Sequence, residues 1–173
     1  MANIFFTSDW HLGHQNILTF QRQDGSAVRN FSSVEEMHEY MIERHNSVVS
    51  TNDKVYILGD VCFTNKWLHL VDRFKGEKVL IKGNHDTLKL SQYAPYFKDV
   101  RGIHQFKGIV MTHIPIHPDS LSRWGVNIHG HLHTNFVLRD GEIDTRYHNV
   151  SVEVLNDYTP ISLEEIKALK NLT

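Results

Sequence analysis

Val55-Tyr56-Ile57-Leu58-Gly59-Asp60 decides how the rest of this chain is read. An apolar run of strand length stops abruptly at a glycine and a carboxylate. The same design recurs on either side. Ile4-Phe5-Phe6 leads to Asp9 and His11, Val79-Leu80-Ile81 to Gly83-Asn84-His85-Asp86, and Ile109-Val110-Met111 to His113. Val126-Asn127-Ile128 is followed by Gly130-His131-Leu132-His133. In α/β sheets ligands bind outside the carboxyl ends of strands, so the pattern predicts a scaffold that brings these polar loops to one cleft.

Helical segments fall between the runs. Ser33-Val34-Glu35-Glu36 starts a helix with a capping box and continues with Met37, Met41, Ile42 and His45 at helical spacing. A second helix is predicted over 66–74, with Trp67, Leu68 and Val71 inward. A third starts at Ser162, with Leu163, Ile166 and Leu169 on one face. Val150, Val152 and Val154 alternate with polar residues, the pattern of a half-buried strand. Strands alternating with helices indicate a layered α/β fold, and 173 residues suit a single domain over the whole chain.

Composition narrows the function. A net charge of -2 supplies no overall field toward nucleic acid or anionic membrane. The single cysteine, Cys62, excludes an intramolecular disulfide and fits a reducing compartment. No stretch approaches the roughly 18 apolar residues of a membrane span, and the N-terminal apolar run is too short for a signal peptide. The expectation is a cytoplasmic protein with no membrane partner.

The 13 histidines are the compositional anomaly. Asp9-Trp10-His11 sets a carboxylate and an imidazole two residues apart, where an extended loop can point both at one cation. Gly59 permits a tight turn before Asp60, whose carboxylate can bridge two cations. Asn84 offers a neutral amide oxygen and His85 can meet a phosphate, while His131 and His133 share one side of an extended segment. Each motif alone also suits an ordinary loop; it is their order, each after an apolar run, that carries the inference. Cys62 reads as a small buried residue under the site rather than as a ligand.

The series Asp9-x-His11, Gly59-Asp60, Gly83-Asn84-His85-Asp86, His113, Gly130-His131-x-His133 resembles the calcineurin-like metallophosphoesterase superfamily, and within it the small stand-alone bacterial and phage phosphoesterases. Ser8 to Ile17, Asn149 to Glu153 and Pro160 to Leu163 are similar to their opening and ending. The resemblance implies a two-sheet β-sandwich flanked by helices in four layers. It implies one metal held by Asp9, His11, Asp60 and His133, and a second by Asp60, Asn84, His113 and His131, with Asp60 bridging. Mixed oxygen and nitrogen ligation suits Mn²⁺ first, with Fe, Ni or Zn as alternatives. A hydroxide shared by the ions would be the nucleophile. His85 would contact the phosphoryl oxygens and protonate the leaving oxygen, with Asp86 fixing its orientation.

The chain departs from the protein serine/threonine phosphatases of that superfamily. Gly59-Asp60-Val61-Cys62-Phe63 lacks their Gly-Asp-x-Val-Asp-Arg-Gly, and Asp86 stands where they carry glutamate. Hydrolysis of a phosphodiester in a nucleotide, cyclic nucleotide or nucleic-acid fragment therefore leads. A phosphomonoesterase acting on a small metabolite and a non-catalytic binding module on the same scaffold are the competing readings. The polar segment 14–31, which carries His14, Asn16, Arg22 and Arg29, is expected to fold over the cleft and set specificity, with His14 and Arg29 meeting substrate.

Overall fold

The computed structural model describes residues 2–170. Along the chain run β1 (Ile4–Thr7), α1 (Val34–Val48), β2 (Lys54–Ile57), β3 (Glu77–Ile81), α2 (Leu90–Tyr93), β4 (Asp99–Arg101), β5 (His104–Phe106), β6 (Ile109–Met111) and β7 (Val126–His129). They are followed by β8 (Leu138–Arg139), β9 (Glu142–Ile143), β10 (Tyr147–Asn149), β11 (Ile161–Ser162) and α3 (Leu163–Lys170). One sheet has the order β11-β1-β2-β3-β4, a second β10-β7-β6-β5, and β8 and β9 form a separate two-stranded sheet. β1 through β4 are mutually parallel, as are β10, β7 and β6. All five strands that precede the polar motifs thus belong to parallel pairings, with those motifs at their carboxyl ends.

Alternation along the strands makes the layers. Phe6, Tyr56, Leu58, Val79 and Ile81 point between the sheets, against Ile109, Met111, Val126 and Ile128 of the second sheet and Leu163 and Ile166 of α3. Their neighbours Phe5, Val55, Ile57 and Leu80 face the other way, toward Met37 and Met41 of α1 and Leu68, Val71 and Phe74. On the far face of the second sheet Val110 and Tyr147 pack with Leu121, from a 3-10 helix at Pro118–Arg123. The result is two sheets flanked by helices, as the resemblance implied.

The helix expected from Ser162 is reciprocally capped there: Ser162 Oγ accepts from the Glu165 N–H, and the Glu165 carboxylate accepts from the Ser162 N–H. At α1, Ser33 Oγ accepts from the Glu36 N–H, but the Glu36 carboxylate reaches Ser32 instead. The segment Asn65–Arg73 winds as a 3-10 helix. Leu169 departs from its expected face and is 63% exposed. Each step of three residues falls about 60° short of a full turn, so a third residue at that spacing drifts off the apolar stripe.

The valine alternation marks a crossing rather than a strand. The paired strand is β10, and its successors leave the second sheet for the first, where Ser151 bridges to Ser8 and the Val152 N–H donates to Ser8 O. Val150 lies in the core between the sheets and Val152 in the core beneath α1. The apolar alternation here comes from passing between two cores, and the polar Ser151 between the valines is buried too. Among the described residues no helix is long and apolar enough to cross a membrane.

Ile57 is fully buried on the α1 side of β2, so Ile57→Ala should cost about 2–5 kcal/mol in chemical denaturation. Leu169→Ala should stay within about 0.5 kcal/mol.

Candidate metal centre

Strand pairing does not stop where the strands are said to end. The Asp9 N–H donates to Gly59 O at 2.9 Å, His11 N–H to Asp60 O at 2.9 Å and Leu12 N–H to Val61 O at 2.8 Å. Trp10, between the two polar residues, is driven into the core under α1, where its ring stacks on Phe74 at 4.0 Å and its Nε1–H reaches Thr7 Oγ1 at 3.2 Å. Asp9, His11, Asp60, His131 and His133 all have left-handed backbone, with φ between 47° and 70°. Such residues cost on the order of 1–3 kcal/mol each and cluster at functional sites.

Asp9 is fully buried, and its two oxygens are treated unequally. Oδ2 accepts from Ser8 Oγ at 2.6 Å, Ser151 Oγ at 2.8 Å and the His131 N–H at 3.0 Å. Among the described residues Oδ1 has no hydrogen-bond partner, and neither ring nitrogen of buried His11 has one. Oδ1 lies 3.8 Å from His11 Nε2 and 4.0 Å from His133 Nε2. Buried polar atoms left facing one another are costly unless something joins them, and an oxygen with two imidazole nitrogens is a donor set suited to a divalent cation.

Asp60 repeats the division. Its Oδ1 accepts from the His85 N–H at 2.9 Å, while Oδ2 lies 3.3 Å from His113 Nε2 and 3.7 Å from His11 Nε2. Oδ2 therefore sits between an imidazole of each cluster. Asn84 Oδ1 is 2.9 Å from His113 Nε2, and the His131 ring centre is 5.1 Å from that of His113. Asp9, His11 and His133 form one group that could hold an ion, and Asp9, Asp60 and His113 another. All seven sequence-predicted ligands thus converge, and the donors fit two adjoining cations.

Two of the motif glycines are needed for this closeness. A Cβ on Gly83 would overlap the Asp60 carboxylate and its backbone nitrogen, and one on Gly130 would overlap Ser8 Oγ and Asp9 Oδ2.

His85 is exposed beside the ligands, its ring 5.8 Å from that of His11 and 4.6 Å from that of Phe63. Asp86 does not hold that ring. Its two oxygens accept the N–H groups of Asp60, Val61 and Gly83, which corrects the orienting role expected of it: a buried carboxylate among bare amides pins the loops instead. His14 faces the cleft, 4.5 Å from the Phe63 ring and 5.6 Å from the His11 ring. Arg22 and Asn16 are exposed.

Arg29 requires the larger correction. Instead of meeting substrate it is 1% exposed. It pairs with Glu153 at 2.7 Å, and donates to Trp10 O at 2.9 Å and to Asp9 O. A guanidinium offers five donors in a fixed fork, and here the fork is taken up by the underside of the first metal motif. Glu153 was missed as a functional residue. It also accepts from the His133 ring at 2.9 Å, from 20 residues along the chain. The signal available was the Asn149–Glu153 segment, which the sequence marks without assigning Glu153 a task.

Electrostatics follow from these contacts. Burial pushes the Asp9 and Asp60 carboxyls up, but imidazole contacts outweigh it and hold both below the usual range. Burial lowers His11 and His131 and takes His14 down to about 4, helped there by the charges of His11 and Arg29. His113 and His133 go the other way. Burial opposes protonation, yet Asp60 raises His113 and Glu153 raises His133. Burial pushes the Cys62 thiol up to about 12, so it stays a neutral core residue.

A two-sheet α/β fold that presents adjoining carboxylate and imidazole clusters from its strand ends is that of a metal-dependent phosphoesterase. The chain belongs to the calcineurin-like phosphoesterase family, whose model matches residues 2–168. An uncharacterized protein of Methanocaldococcus jannaschii is 34% identical over 177 residues, covering 98% of this chain and 92% of its own. The gene 66 protein of Mycobacterium phage L5 is 38% identical over 93 residues, 50% of this chain and 41% of that protein. Among solved structures, a protein of unknown function from Aquifex aeolicus is 28% identical with a TM-score of 0.72, covering 98% of this chain and 100% of its own.

Metal ions need unprotonated imidazole, so protons compete at His113 and His133. With both raised above the ordinary histidine value, divalent-metal occupancy should be full in alkaline buffer and fall on acidification as protons reclaim those rings. A pH series of equilibrium dialysis checks this; constant occupancy down to pH 5 would contradict it. Gly130→Ala should lose metal by elemental analysis and also unfold at lower denaturant, since its Cβ crowds the Ser8 and Asp9 contact.

Proposed function

We propose that this chain hydrolyses a phosphodiester, with a nucleotide or nucleic-acid fragment as substrate and two divalent cations, Mn²⁺ first, as cofactors. The observation that carries this is the division of labour on Asp9 and Asp60. Each carboxylate has one oxygen held by protein donors and the other turned toward imidazoles, and on the Asp9 side that oxygen and both ring nitrogens of His11 have no hydrogen-bond partner among the described residues. Cations bound there would supply Lewis acidity toward phosphoryl oxygens and make water a better nucleophile at neutral pH. Protein side chains do the rest. Asp9, Asp60 and the imidazoles hold the charge in place, and His85, at the exposed edge, donates a proton toward the leaving oxygen.

The burial of Arg29 favours a diester. A phosphomonoester dianion calls for extra positive charge, and Arg29 is the guanidinium whose field acts on His11, His14 and His133. It lies behind the ligands and is already paired with Glu153, so it is not free to clamp a second negative oxygen. The rings beside His85 favour a substrate with a base. Phe63 stands between His14 and His85, and Phe20, 49% exposed, lies 5.8 Å from His14. Aromatic faces near a cleft suit stacking of a nucleobase, worth about 1–3 kcal/mol per base.

His85→Ala should keep both cations and lose about 10²–10⁴-fold in turnover of bis(p-nitrophenyl) phosphate. Unchanged turnover would remove His85 from the mechanism. Wild-type protein should prefer that diester over p-nitrophenyl phosphate; the reverse preference would favour the monoester reading.

A further inference from the structure

The two imidazole clusters are backed by different groups. His113 Nδ1 meets the backbone carbonyl of Leu58 at 2.7 Å, whereas His133 Nδ1 meets the carboxylate of Glu153 at 2.9 Å. Either contact sets the tautomer and turns Nε2 toward the cation side. A carboxylate also makes the imidazole a stronger donor, which a neutral carbonyl does less.

Glu153 is enclosed completely, a position that is costly for a lone charge. Arg29 compensates it at 2.7 Å, and its own side chain is equally enclosed. The same guanidinium donates to the backbone carbonyls of Asp9 and Trp10. One buried ion pair therefore fixes the backbone that carries Asp9 and the ring of His133, two of the three members of one cluster. On the other side Asp86 fixes the backbone at Asp60 and Gly83, but the His113 ring is backed by a neutral carbonyl and by no carboxylate or ion pair among the described residues. The charge of Arg29 offsets much of that of Glu153, so the principal gain is geometric.

We infer that Arg29 and Glu153 are positioning residues that make the Asp9–His11–His133 site the tighter of the two cation sites and the first to fill. This rests on the dinuclear reading of the preceding subsection. Outer partners of metal ligands typically affect affinity by about 10–100-fold.

The test is a Mn²⁺ titration by calorimetry of metal-free full-length protein. Wild type should bind in two steps, with the tight step kept in His113→Ala and lost in His133→Ala. Glu153→Gln, which still accepts a hydrogen bond, should weaken the tight step by about 10–100-fold and leave the weak step nearly unchanged. If the remaining Arg29 charge unfolds that variant, Arg29→Met combined with Glu153→Leu removes both charges at once. This pair should fold by circular dichroism and show the same selective loss. Equal weakening of both steps, or an unaffected tight step, would overturn the inference while leaving the dinuclear centre standing. A single step in wild type would overturn the dinuclear reading and this inference with it.

Discussion

Three donors on one oxygen hold this molecule's two halves together. Asp9 Oδ2 receives Ser8 from the first sheet, the His131 amide from the loop after β7 of the second, and Ser151 from the segment that crosses between them. The candidate metal centre and the joint of the sandwich are therefore the same structure. A buried carboxylate is tolerable only when its lone pairs are answered, and here the answers come from parts of the chain up to 142 residues apart. Fixing Oδ2 leaves Oδ1 a single direction in which to point.

The candidate ligands were legible because each follows a strand, and strand ends are readable from apolar runs bounded by glycine. The supports were less so, for physical reasons. Arg29 lies in a polar loop, and nothing local distinguishes a guanidinium that folds inward from one that stays in water. Its partner Glu153 is 124 residues away. Asp86 follows His85 directly, which suggests a pair, but the turn carries its carboxylate under Asp60 and Val61 instead. The valines near the C-terminus alternate because two cores lie on either side of one crossing segment, a situation that period-two reasoning cannot tell from a strand.

Left-handed backbone at five candidate ligand positions is a cost that local sequence would avoid. It is sustained because neighbouring residues are over-determined. Trp10 is locked between Phe74 and Thr7, and the amides around Asp60 are drawn onto Asp86. Core packing and amide capture are thus what turn the polar side chains back toward each other.

The continued ladder between residues 9–12 and 59–61 has a mechanical meaning. Asp9 and Asp60 ride on adjacent strands of one sheet, so their separation is governed by a backbone repeat of about 4.8 Å. Side-chain evolution cannot easily widen or narrow such a gauge, because doing so would unzip the hydrogen bonds on which the core rests. Phe20, Phe63 and His14 stand beside the gauge and not on it, so a change at any of them leaves the rails where they are.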